Sequence, residues 1–293
     1  MIRKAARTAL ALTLAWALAG GCGGGDPAPA RPAPPTRPSA EQAAAAVQLL
    51  TGPEWYRHAV FYEVYVRSFA DSNGDGIGDL DGLTSRLDYL KDLGVDALWL
   101  MPIFPTRFED SGYDISDYRG INPEYGDLAA FDRLLAAAHA RKMRVFLDLV
   151  LNHTASDHAW FQESRSSKTN PKADWYLWSD TEGRADLGDC KPINPRFGDG
   201  WSRDDTRGQF YYHRFYPGQP DLNYRNADVV RETLDVPRFW MDRGVDGFRC
   251  DVVGMLYESP DGCVMIPETI EYIKELRAIL DERPERAMVA EPA

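Results

Sequence analysis

From residue 58 onward, short apolar runs alternate with longer stretches in which apolar residues recur every three or four positions. The run AVFYEVYV at 59–66 has the length and the β-branched and aromatic content of a strand. A helix-periodic stretch follows from Leu80 to Leu93 and ends at Gly94. VDALWLM at 95–101 reads as the second strand. Asp127 to Lys142 is an Ala- and Leu-rich helix with Asp127 at its N-cap. MRVFLDLVL at 143–151 is the third strand. Short apolar strands separated by helices predict a parallel sheet covered by helices.

The rhythm breaks between residues 154 and 218, where Trp, Asp, Gly and Pro replace any long periodic segment. So long a stretch is not a plain loop inside a compact domain, and it predicts a small inserted domain at 154–218. The pattern resumes with a helix from Ala227 to Arg243, in which Pro237 should mark a kink or local irregularity. Strand GVDGFRCDVV (244–253), a helix from Ile266 to Glu282 and strand AMVAE (287–291) complete five strands and four helices. The β/α part is thus 53–153 and 219–293.

The first 52 residues follow a different pattern. Arg3, Lys4 and Arg7 form a basic start, and Ala9 to Ala19 is an apolar stretch short for a membrane span. Together they read as a secretion signal. Ala19-Gly20-Gly21-Cys22 resembles a bacterial lipobox, with Ala19 in place of the usual Leu. Residues 1–22 are therefore expected to be a lipoprotein signal, with Cys22 as the lipidated residue. Residues 23–52, rich in Gly and Pro, read as an extended tether. The expectation is an exported protein, anchored by its lipid at the bacterial outer membrane or cell surface or held in the periplasm.

Composition changes the picture little. The chain of 293 residues is 44% hydrophobic and 27% charged, ordinary for a globular protein. A net charge of −12 argues against nucleic acid as a partner. The 8 Trp, 14 Tyr and 12 Phe suit stacking on sugar faces, and equally well an aromatic core. Of the four cysteines, Cys250 lies in an apolar run and reads as a buried thiol. Cys190 and Cys263 are free to pair outside the cytoplasm, although no spacing requires it.

Polar residues gather where strands end. Asp148, Asn152 and His153 end the third strand, Arg249 and Asp251 the fourth, and Glu291 the fifth. In a β/α barrel those C-terminal strand ends build the active site. Carboxylates on neighbouring strands, about 4.8 Å apart, can reach the roughly 5–5.5 Å separation of a retaining glycosidase pair. Arg249 and Asp251 share a face of their strand, so the guanidinium should keep Asp251 ionised. Val289 and Ala290 would give Glu291 the apolar setting that raises an acid's pKa.

Five motifs make the resemblance specific: SGYDISDY (111–118), DLVLNH (148–153), QPDLN (219–223), GFRCDVV (247–253) and VAE (289–291). From about residue 54 the chain resembles the alpha-amylase family, glycoside hydrolase family 13. The resemblance implies a (β/α)8 TIM barrel, of which strands one to five are present, with a small domain after strand three. It implies Asp251 as nucleophile and Glu291 as general acid/base. It also implies substrate-binding roles for Tyr113, Asp114, His153, Arg249 and Asp148.

DSNGDGIGD at 71–79 offers oxygens at alternate positions, although Gly82 stands where an EF-hand has its Glu. The oligo-1,6-glucosidase and trehalose-synthase branch, which this segment resembles, binds a structural Ca²⁺ there. That implies Asp71, Asn73, Asp75 and Asp79, with the Ile77 carbonyl, as ligands.

YYHRFYPGQPDLNY (211–224) and CVMIPETIEYIKELR (263–277) look like trehalose synthase. Gly254 and Met255 stand where alpha-amylases carry a Lys-His pair that grips starch. Export favours hydrolysis of α-glucans or malto-oligosaccharides. Isomerisation of maltose to trehalose is the second reading, and an inactive glucan-binding remnant the third. The family's third carboxylate, on strand seven, is not in this sequence. The 293 residues alone are therefore expected to be a fragment, inactive and poorly soluble.

Overall fold

The structure, a computed structural model, describes residues 51–292. The signal segment, Cys22 and the tether up to residue 50 lie outside the described residues. At the start of the described chain, the Gly52 amide donates to Glu285 Oε1 at 2.6 Å.

The described strands are β1 (Phe61–Val64), β2 (Ala97–Leu100), β3 (Arg144–Val150), β4 (Trp178–Ser179), β5 (Trp201–Asp204), β6 (Gln209–Tyr212), β7 (Gly247–Asp251) and β8 (Ala287–Ala290). The α-helices are α1 (Leu80–Ser85), α2 (Leu87–Asp92), α3 (Leu128–Ala140), α4 (Ala159–Ser166), α5 (Ala227–Asp242) and α6 (Pro267–Asp281). Strands β1, β2, β3, β7 and β8 pair in that order, all parallel. Helices connect successive strands, the arrangement that parallel pairing requires.

Apolar residues on the sheet and helices close the layer between them. Leu98, Val145 and Phe248 are fully buried, as are Leu83, Leu134, Trp240 and Leu276 from the helices. On the other face of the sheet a second cluster forms from Trp55, Ala97, Phe146 and Ala287. It explains Gly247: a Cβ there would lie 2.4 Å from the Phe146 ring.

The stretch read as one helix over 80–93 is two. It breaks at Arg86, with φ −106° and ψ 4°. Just before the break, Thr84 Oγ1 donates to the Leu80 carbonyl and Ser85 Oγ to that of Gly82. Hydroxyls that take helix carbonyls weaken the ladder locally. Asp127 does cap α3, accepting from the Ala130 amide at 2.7 Å. Helix α5 runs on through the buried Pro237.

Between β3 and α5 the chain builds α4 and a three-stranded antiparallel sheet of order β4-β6-β5. Leu177, Leu187, Cys190 and Tyr212 form its own small core. A bridge between His153 and Asp221 and a bond from the Thr154 amide to the Pro220 carbonyl tie its end to β3. Cys190 and Cys263 are disulfide-bonded, which joins this insert to the loop between β7 and α6. Cys250 is a buried free thiol.

Candidate active site

Register sets the site. Asp148 pairs with Arg249, Val150 with Asp251, and Cys250 with Ala290. The Glu291 amide continues the ladder to the Cys250 carbonyl at 2.9 Å. Asp251 and Glu291 therefore stand side by side at the C-terminal ends of β7 and β8.

One guanidinium serves three carboxylates. Arg249 Nη1 donates to both Asp148 oxygens, at 2.9 and 3.1 Å, and to Asp251 Oδ1 at 2.5 Å. Nη2 donates to Glu291 Oε2 at 2.5 Å. Trp99 and Tyr113 flank the same cation, their ring centres 5.2 and 5.8 Å from it.

Above this cluster opens a cavity of about 380 Å³. Arg249, Asp251, Val252 and Glu291 form its floor; Tyr113, His153 and Asp110 form one wall. The insert contributes Ile193, Phe197, Phe215 and Tyr216. The Phe197 and Tyr216 rings meet at 4.5 Å, and Phe215 packs on His153 at 5.2 Å. An apolar and aromatic wall facing a polar floor suits a sugar ring, which has an apolar face and hydroxylated edges. A cavity of about 450 Å³ at the opposite strand ends, near Lys91, His139, Arg144 and Asp246, has no such facing carboxylate pair.

Asp148 and Asp114 do not line the cavity. Asp148 lies beneath it, 1% exposed, and holds the Trp99 indole and Tyr113 hydroxyl as well as Arg249. It positions the residues above it. Asp114 is also 1% exposed, and its carboxylate accepts from the Arg107, Glu109 and Asp110 amides. The residue that reaches the cavity from this motif is Asp110, held by Gln219 Nε2 at 3.0 Å. Ser111 and Gly112 turn through φ 54° and 106°, which carries Asp110 inward and leaves Asp114 in the loop. The sequence reading missed Asp110; its only local signal was its place three residues before Tyr113.

The electrostatics also differ from expectation. Burial pushes the Asp251 carboxyl up to about 8, helped by the neighbouring Asp148 and Glu291 charges and opposed by Arg249. Burial raises Asp148 to about 6. A single cation shared three ways does not offset desolvation of the buried members. Glu291, at the end of the edge strand of the five, is paired with Arg249. Burial drives His153 down to about 4, so its ring is neutral, with Nε2 3.2 Å from the Tyr113 carbonyl.

Nearby, Asp221 and Glu258 are a second pair of buried acids: burial raises both, the Asp221 charge raises Glu258 further, and Arg214 opposes both shifts. The Arg214 amide donates to Asp221 Oδ1 at 3.1 Å.

In the 71–79 loop, Asp71 accepts from the Asn73, Gly74 and Gly76 amides, and Asp79 caps α1 and holds Ser72. All the side-chain donors are oxygen, which suits a hard cation. Among the described residues no three His, Cys, Asp or Glu side chains converge as metal ligands.

The alpha amylase catalytic-domain profile matches residues 63–293. The chain belongs to the alpha-amylase family. Among curated relatives, it is 50% identical over 261 residues to the trehalose synthase/amylase TreS of Mycolicibacterium smegmatis, covering 87% of this chain and 43% of the relative. It is 48% identical over 221 residues to an oligo-1,6-glucosidase of Heyndrickxia coagulans, covering 71% of this chain and 39% of the relative. Among solved structures, the trehalulose synthase MutB of Pseudomonas mesoacidophila matches with a TM-score of 0.74 and 38% identity, over 82% of this chain and 46% of MutB. The chain thus spans less than half the length of these relatives. Its alpha-amylase fold is a (β/α)8 barrel, of which the five parallel strands described here are part.

Proposed function

We propose that this alpha-amylase family protein is a retaining α-glycoside hydrolase acting on α-glucans or malto-oligosaccharides. The observation that carries this reading is the pair Asp251 and Glu291, held on the two nitrogens of one guanidinium at adjacent strand ends. That arrangement fits the roughly 5 Å separation of a retaining pair better than the wider inverting one.

Asp251 attacks the anomeric carbon and Glu291 protonates the departing oxygen. Water, deprotonated by Glu291, then releases the sugar. In the free site burial disfavours the Asp251 anion, and Arg249 holds Glu291. Catalysis requires the proton on Glu291, the acid that meets the departing oxygen. Asp251 is then ionised with Arg249 beside it. Tyr113 and His153 bind the sugar from the wall, and Asp110 takes the place first assigned to Asp114.

The similarity to trehalose synthase favours a second reading, isomerisation of maltose, in which the released glucose is recaptured by the glycosyl-enzyme. Incubating the full-length protein with maltose separates the two. Glucose as main product supports hydrolysis; trehalose as main product overturns it in favour of isomerisation.

We further propose export, which the Cys190–Cys263 bridge supports, since such bridges persist in oxidising compartments, and a lipid anchor at Cys22, which rests on the lipobox resemblance. A structural Ca²⁺ at Asp71, Asn73, Asp75, Asp79 and the Ile77 carbonyl is also proposed; the all-oxygen donor set supports it.

A further inference from the structure

We propose that the Cys190–Cys263 disulfide is a latch for the candidate active site, holding the loop at 252–266 so that Asp251 and Glu291 keep their relative positions. The proposal rests on the hydrolase reading above.

The loop is strained at both ends. It opens with Val252, directly after Asp251, at φ 35°. A β-branched residue adopts this left-handed conformation only when its surroundings impose it. Near its far end Met265 is also left-handed, at φ 53°. The two ends are tied together, because the Met265 amide donates to the Gly254 carbonyl at 2.7 Å.

The strained segment adjoins Asp251 in the chain and touches the Glu291 carboxylate. The Val252 amide donates to Glu291 Oε2 at 3.3 Å. Gly254 lies so close to the backbone after Glu291 that a Cβ there would sit 2.1 Å from the Pro292 carbonyl oxygen. Movement of Gly254 therefore moves the ends of β7 and β8 relative to each other.

The insert holds the loop, together with Arg225, whose Nη2 donates to the Glu258 carbonyl at 2.6 Å. Cys263, two residues before Met265, is bonded to Cys190. Arg214 Nη1 donates to the Cys263 carbonyl at 2.8 Å, and the Tyr212 hydroxyl to the Cys190 carbonyl at 3.2 Å. Ile193, three residues past Cys190, and Val252 both line the cavity. The bond thus ties one cavity wall to the floor. Its sequence separation of 73 residues makes it a long-range restraint that the loop's own hydrogen bonds do not replace.

Opening the latch takes two electrons and two protons. A dithiol reductant supplies both and becomes a cyclic disulfide, leaving Cys190 and Cys263 as thiols. Val252 and Met265 are then free to relax, and the carboxylate pair loses its spacing.

The test uses the full-length protein, oxidised and after dithiol treatment, alongside a Cys190→Ser/Cys263→Ser variant. Alkylation counts the thiols. Kinetics on nitrophenyl α-glucoside and binding of the iminosugar 1-deoxynojirimycin report the site. Hydrogen exchange across 252–266 reports the loop. Opening the bridge is expected to lower kcat on the order of tenfold, with a smaller change in KM, and to speed exchange at the Met265 amide. Unchanged kcat and unchanged exchange, with both thiols alkylated, overturn the latch. An oxidised protein that neither cleaves the glucoside nor binds the iminosugar overturns the hydrolase reading instead. In that case the exchange arm still decides whether the bridge holds the loop. Reducing the folded protein serves where the double variant does not fold.

Discussion

Asp148 and Arg249 are partners twice over: their Cα atoms are in register on β3 and β7, and Arg249 Nη1 donates to both Asp148 oxygens. The buried aspartate fixes the guanidinium, and the guanidinium fixes the two carboxylates above it. Asp148→Asn should therefore lower kcat by one to two orders of magnitude, roughly the cost of losing a charge-assisted bond in a positioning network. Steady-state kinetics on a nitrophenyl α-glucoside check this. A full-rate variant would detach Asp148 from the site.

Asp251→Asn should abolish hydrolysis, with a loss of about 10³-fold or more expected for removing a nucleophile. The same change should raise thermal stability at pH 8. The Asp251 carboxyl is raised to about 8 in the folded protein, against about 3.9 unfolded. Its stabilising contribution is complete below about pH 4 and is lost as pH climbs through about 8. Calorimetry should show the wild-type midpoint falling over that window more steeply than the variant's.

Asp110 and Asp114 should separate cleanly. Asp110→Asn removes charge from the cavity wall and should raise KM on the order of tenfold at unchanged melting temperature. Asp114→Ala strips an acceptor from three backbone amides and should cost about 1–3 kcal/mol of stability. Paired kinetic and denaturation measurements would expose an inverted assignment.

Gly254→Ala places a Cβ against the Pro292 carbonyl. Overpacking at that contact should cost about 1–3 kcal/mol and lower kcat, because the backbone beside Glu291 must shift. Wild-type activity in this variant would mean that the two segments move independently.

If the 71–79 loop binds Ca²⁺, chelator should lower the melting temperature and added Ca²⁺ restore it. Calcium at a hundred times its Kd would stabilise by about 2.7 kcal/mol. Asp71→Asn should remove the response. A melting temperature indifferent to chelator would leave the loop as an Asp/Gly turn.

The elements were legible because their signals are local. Apolar spacing marks β3, and Asp127 sits one residue before α3 with its carboxylate free to cap. The break at Arg86 was not legible, because hydroxyls of Thr84 and Ser85 compete only weakly with the helix pattern around them. The motifs located Tyr113, His153, Arg249, Asp251 and Glu291, all of which meet at one cavity.

What the sequence determined by itself was the order of strands and helices, the insert after the third strand, and which strand ends carry carboxylates. Periodicity and spacing suffice for these, since each is a property of neighbouring residues. Only the tertiary structure decided that Asp110 rather than Asp114 faces the cavity, that Cys190 pairs with Cys263, and that Arg249 is shared among three acids. It also decided that Asp251 is a buried carboxyl. Burial and charge sharing are sums over residues distant in the chain, and no local pattern contains them.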